Sequence, residues 1–173
     1  MNHWKLPLFL IVLCLAVALG AYAWLPPSPV SGGPADRVVV QKSLRRMTLF
    51  RNGRELCDYH VALGRDPVGP KLRTGDHKTP EGNYVLDGKN AASGFHLAMH
   101  VSYPNVADRE RAVQNGLDPG TLIMVHGIKN GLGWLGRFHR LVDWTDGCIA
   151  LTNSEMDQFW ALVPLGTPIE IRP

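Results

Sequence analysis

The dipeptide Asn52-Gly53 constrains this chain most, because it lies between two runs suited to β structure. Arg46 to Arg51 precedes it and Arg54 to Leu63 follows it. A two-residue loop of this kind matches the twist of an antiparallel pair, so the three segments read as a hairpin. In the second run Cys57, Tyr59, Val61 and Leu63 alternate onto one face, the period of a half-buried strand. Arg37 to Gln41, Asn83 to Leu86, Phe95 to Val101, Thr121 to Val125 and Pro168 to Arg172 read as further strands. Helical signals are fewer. Residues 105–114 form a short surface helix closed by Asn115-Gly116, and Gly131 to Arg140 holds a possible short turn of helix. Thr152-Asn153-Ser154-Glu155 is a capping box that opens a helix running to about Val163. The order shows no βαβα rhythm, which argues against a parallel doubly wound fold. The expectation is a mainly β domain, a sheet or β-sandwich, with two or three short helices. Gly64 to Gly82, rich in glycine, proline and charge, reads as a long functional loop.

The front of the chain is different. Leu6 to Leu25 carries no charged side chain, and about 20 helical residues cross a bilayer core. Lys5 is the only Lys or Arg before it, so the short N-terminus is expected to stay cytoplasmic and the remainder to be exported. An uncleaved apolar anchor helix is the preferred reading; Ala21-Tyr22-Ala23 also fits a signal-peptidase site, which would leave a soluble periplasmic domain. Cys14 reads as an apolar residue of this segment. Pro26 to Pro34 is a linker by composition. The chain therefore divides into 1–25 (signal-anchor), 26–35 (linker) and 36–173 (folded domain). A formal net charge of +3 is too small to argue for nucleic acid. Cys57 and Cys148 are the cysteines of the exported part; Cys57 reads as a small core residue rather than half of a disulfide.

Chemistry is concentrated near the end. Val125-His126-Gly127 closes an apolar run, and Thr145-Asp146-Gly147-Cys148-Ile149-Ala150-Leu151 follows. A thiol needs a base to become a nucleophilic thiolate at neutral pH, and a histidine brought close by the fold supplies one. Here Cys148 is the candidate nucleophile and His126 the base. The Gly127 carbonyl is a candidate to orient the imidazole, and the amides of Gly147 and Cys148 to receive an oxyanion. Thr145 either donates from its hydroxyl or holds the loop. From residues alone, a buried cysteine and a structural histidine remain open readings. Arg137, His139 and Arg140 lie between base and nucleophile, where a cationic flap would meet substrate carboxylates; a solvated loop face is the alternative. His96 and His100 either face the groove or are ordinary strand histidines. Tyr103-Pro104-Asn105 reads as a turn with a helix cap whose tyrosine lines the donor site. A zinc site from His96, His100, His126, His139 and Cys148 is disfavoured by spacing, so neither metal nor cofactor is expected.

The set of motifs resembles the YkuD-type L,D-transpeptidases. That family carries a strand-terminal His-Gly and, after a gap, Ser/Thr-x-Gly-Cys followed by Ile or Val. Arg54 to Gly64, Lys78-Thr79-Pro80-Glu81-Gly82 and Gly166-Thr167-Pro168-Ile169-Glu170-Ile171 extend the likeness across residues 36–173. The resemblance implies a bacterial envelope enzyme acting on peptidoglycan stem peptides. Its cysteine attacks the meso-diaminopimelate carbonyl, releases D-alanine, and passes the acyl group to an amine of another stem or of an envelope protein. Carried over, Cys148 is the nucleophile, His126 the proton donor and acceptor, Gly127 the orienting carbonyl, and the Gly147 and Cys148 amides the oxyanion hole. Thr145, Asp146, Arg137, His139 and Tyr103 are the substrate-binding candidates read from this sequence itself. Three departures stand out. Asp146 replaces a second histidine, Ala150 replaces an arginine, and the gap from His126 to Thr145 is slightly long. They leave the acceptor open, with water as the alternative that makes a peptidase or amidase. A non-catalytic wall-binding module is a further alternative.

Overall fold

The computed structural model describes residues 5–173, with side chains from Leu8 onward. An N-terminal helix α1 (Lys5–Ala23) is followed by an extended linker. Among the described residues no helix is long and apolar enough to cross a membrane.

The rest is one curled eight-stranded sheet. Its strands are β1 (Arg37–Gln41), β2 (Arg46–Arg51), β3 (Arg54–His60), β4 (Gly82–Ser93), β5 (His96–Val101), β6 (Met124–His126), β7 (Ile149–Ala150) and β8 (Thr167–Arg172), in the order β3-β2-β1-β8-β4-β5-β6-β7. Helix α2 (Val106–Gln114), a 3₁₀ segment (Gly133–Leu141) and helix α3 (Asn153–Leu162) pack around it. Mainly β with short helices is the architecture found, but it is not a sandwich of two sheets. Most pairs are antiparallel, while β1–β8 and β6–β7 are parallel. The last strand is thereby inserted at the centre. The residues after β3 then reach the far edge, where Ala62 bridges Ala150 and Gly64 bridges Thr145. A sheet closed in this way leaves no long unpaired edge.

Local chemistry accounts for the elements. Asn52 and Gly53 both have positive φ, 50° and 75°, as a hairpin turn of the I′ type requires. Asn105 and Thr152 each cap a helix through a reciprocal box, with Asp108 and Glu155 as partners. The inward faces of β1, β2, β5 and β8 meet Phe159 and Met156 of α3 in a single core that includes Val38, Leu49, Met99 and Ile169. Lys42, buried, donates to the carbonyls of Gly69 (2.6 Å) and Thr79 (2.8 Å) and to Glu81 (2.8 Å), so one cation pins the loop between Gly64 and Gly82.

Candidate active site

Cys148 stands just before β7, whose two residues pair in parallel with β6: Val125 with Ile149 and His126 with Ala150. Side chains alternate along a strand, so Cys148 and His126 share a face, diagonally displaced by one step of the pleat. Both line a cavity of about 580 Å³ together with Phe95, Ala98, Met124 and Trp144. The imidazole of His126 is buried; its Nδ1 lies 2.6 Å from the Gly127 carbonyl. A carbonyl only accepts, so Nδ1 carries the hydrogen and Nε2 is left as the basic nitrogen. Phe95 packs 4.6 Å from the imidazole and Trp144 meets it edge-on at 5.7 Å, fixing the ring plane. Burial pushes the histidine below its ordinary value, outweighing the Gly127 hydrogen bond. Burial also pushes the Cys148 thiol up, with a smaller push from Asp146. The resting pair at neutral pH is therefore a neutral thiol and a neutral imidazole. The thiol donates to the Leu122 carbonyl at 3.7 Å. Leu122 has φ of +62°, a strained conformation for a branched side chain, and this turns its carbonyl toward the sulfur.

The loop carrying the cysteine is clamped from two sides. Thr145 donates from its hydroxyl to the Cys148 carbonyl (2.7 Å) and accepts from the Gly147 amide (3.1 Å). Outside the loop, Thr145 N donates to Leu63 O, Arg65 N to Thr145 O, and Ala62 and Ala150 exchange two bonds. Gly64 packs so close beneath that an added Cβ would lie 2.1 Å from the His77 carbonyl and 3.1 Å from Gly147 Cα.

Several expected roles change. The Gly147 amide does not face the cavity; it is spent on Thr145, because φ of +127° turns it back into the loop. The Cys148 amide has no hydrogen-bond partner among the described residues and is the remaining donor beside the sulfur. Thr145 is buried, lines the His126 cavity and holds the loop through its hydroxyl. Tyr103 lies in the core, its hydroxyl donating to the Pro119 carbonyl, and lines neither cavity at the cysteine. Arg137 turns away and stacks its guanidinium over Tyr22 at 5.5 Å. His139 is buried and accepts from Trp144 Nε1 at 3.3 Å; burial and the nearby Arg140 lower its pKa to about 3, so it is a neutral support for Trp144 and not a cation. His96 and His100 engage Asp157 (2.7 Å) and Asp87 (2.6 Å) outside the cavity. Asp146 does lie at the site, exposed on the rim. Arg65 donates to it and His77 sits 2.8 Å away, and the arginine chiefly holds its carboxyl below the ordinary range.

Phe95 and Trp144 were not singled out by the sequence, where isolated aromatics give no signal beyond burial. Among the described residues no group of three or more His, Cys, Asp and Glu is placed to hold a metal ion. Cys57 is free and half-buried, its sulfur 3.4 Å from the Tyr59 hydroxyl.

Comparison with known proteins places this arrangement. The YkuD profile, which describes the L,D-transpeptidase catalytic domain, matches residues 35–171. YafK of Escherichia coli (strain K12) is 25% identical, with 89% of this chain aligned to 62% of that protein. Among solved structures, Bd1075 of Bdellovibrio bacteriovorus superposes with a TM-score of 0.57 at 26% identity, over 85% of this chain and 51% of that one. The helical cell shape determining protein Pgp2 of Campylobacter jejuni shares the fold, with a TM-score of 0.60 at 24% identity, over 84% of this chain and 50% of that one. The chain thus spans less than two thirds of the length of each of these relatives. It belongs to the YkuD family of L,D-transpeptidase catalytic domains.

Proposed function

We propose that residues 36–173 form a catalytic domain that transfers acyl groups of peptidoglycan stem peptides through a thioester on Cys148. The observation that carries this reading is the shared cavity into which both Cys148 and His126 open, with the imidazole held in its Nδ1–H form by the Gly127 carbonyl. As the sulfur attacks the carbonyl of meso-diaminopimelate, its proton passes to Nε2 of His126. The carbonyl oxygen becomes an oxyanion beside the Cys148 amide. Collapse re-forms the carbonyl, breaks the C–N bond, and returns the proton from Nε2 to the leaving D-alanine amine. An acceptor amine then gives a proton to Nε2, attacks the thioester and expels the thiolate, which takes the proton back. Neutral partners suit this sequence, because the charge pair forms only as the bond forms, in a pocket walled by Phe95 and Trp144. No cofactor takes part. Asp146, tied to Arg65 and His77, stands on the rim of the same cavity.

The domain acts in the bacterial cell envelope on this reading. On this reading residues 1–25 are an export segment, retained or cleaved after Ala23, and residues 26–35 are the tether. The test is incubation of the full chain, wild type and Cys148→Ala, with muropeptides, followed by mass analysis. Cross-linked or protein-attached stems identify an amine acceptor, and shortened stems identify water. Unchanged muropeptides with the wild type, or equal products from both proteins, would overturn the proposal.

A further inference from the structure

Cys148 borders two cavities, not one. The second, of about 390 Å³, is lined by Lys71, Thr74, Asp118 and Ile123 together with Leu122, Asp146 and Cys148, the last three being shared with the first. The two differ in chemistry. The His126 side combines Phe95, Ala98, Met124 and Trp144 with Asn90, Ser93 and Lys129, whereas the far side pairs a cation, Lys71, with a second carboxylate, Asp118, besides the shared Asp146. Lys71 is almost wholly buried, its side chain 4% exposed, and donates to Asp76 Oδ1 (2.8 Å) and the Arg73 carbonyl (3.1 Å). Three donors sit on an ammonium, so one remains. Asp118 accepts from the Thr74 hydroxyl and the Gly120 amide, both at 3.0 Å, and these bonds hold it ionised. The same bonds join the loop around Lys71 to the segment before β6, so the two charges stand on one built wall.

Proton traffic decides what each side holds. The leaving amine receives a proton from His126 and the acceptor gives one to it, so both occupy the His126 cavity in turn. The acyl portion, which stays on sulfur between the two steps, occupies the other. We infer that Lys71 and Asp118 are specificity-determining residues that read a zwitterionic end on the side chain of the acyl donor, Lys71 taking its carboxylate and Asp118 its ammonium. This rests on the function proposed above and names the feature of the donor that the site selects.

The test measures acylation of Cys148 in the full chain by intact mass, under kcat/KM conditions. Four donor stems are compared: one with a free carboxylate and ammonium at the side-chain end, one amidated at that carboxylate, one acetylated at that amine, and one with lysine at that position. Each modified donor is expected to lose at least about tenfold, the order expected when a charged partner is left unpaired. Asp118→Asn should slow the unmodified donor while leaving the acetylated donor unchanged, and Lys71→Met should do the same for the amidated donor. Lys71→Met also strips Asp76 of its partner, so its fold is checked by melting, and the modified donors with Asp118→Asn carry the test without it. Equal acylation by all four donors, or an Asp118→Asn loss that is the same for acetylated and unmodified donors, overturns this assignment alone. No acylation of Cys148 by any donor overturns both it and the function beneath it.

Discussion

Replacing Thr145 by valine isolates the clamp on the nucleophile loop. The volume is nearly kept, but the hydroxyl that donates to the Cys148 carbonyl at 2.7 Å and accepts from the Gly147 amide at 3.1 Å is gone. Thr145 is buried, so water does not replace it at once. Leaving a buried backbone donor or acceptor unpaired costs about 1–3 kcal/mol, and two such groups cost about 2–4 kcal/mol after partial relaxation. For a domain of this size about 1 kcal/mol lowers Tm by roughly 3 °C, so Thr145→Val should melt about 6–12 °C below the wild type. The freed Gly147 amide and Cys148 carbonyl also let the sulfur drift, and a misplacement of about 1 Å costs on the order of 100-fold in rate. Thr145→Ser keeps the hydroxyl and should restore most of both quantities. Calorimetry gives the first and acylation of Cys148 by a stem peptide gives the second. A valine variant that melts within about 2 °C of the wild type and acylates at its rate would refute the assigned role of this hydroxyl.

Two other outcomes follow from the same geometry. His126 and His139 are both held neutral by burial, so below about pH 6.5 the unfolded chain binds protons that the folded chain refuses, and for His139 this window reaches down to about pH 3. Stability is therefore present above pH 6.5 and is lost as pH falls through that window; His139→Gln should show a shallower loss in acid melting curves, and an unchanged slope would contradict the burial argument. Gly64→Ala forces a Cβ to within 2.1 Å of the His77 carbonyl and against Gly147, so it should cost about 1–3 kcal/mol by overpacking and reduce acylation more than Gly94→Ala, where nothing lies within 4 Å and φ is not positive; equal activity of the two variants would show that the segment at Gly64 does not position the cysteine.

How much of this was legible beforehand depends on the range of the forces involved. The hairpin at Asn52-Gly53 and the two capped helices are written in neighbouring residues, and they stand where the pattern puts them. β4 runs on to Ser93, past the expected end at Leu86, because the polar stretch Asp87 to Asn90 shows no alternation and is held by pairing with β5 alone. β6 and β7 have three and two residues, too short for any period, so the meeting of His126 and Cys148 depends on a register that no local run records. The sandwich expectation failed for the same reason: the bridge from Ala62 to Ala150 that closes a single sheet is a long-range event. Arg137 and His139 were read from their charge, but the 3₁₀ segment is bent at Gly136 (φ +48°), which buries one and sends the other toward Tyr22.

The central place of β8 sets an order of events in the life of the molecule. β8, which follows Cys148 in sequence, slots between β1 and β4, and without it the hairpin and the cysteine-bearing half have no common frame. Until β8 docks, the loop that carries Cys148 therefore lacks the frame that joins it to the first half of the sheet.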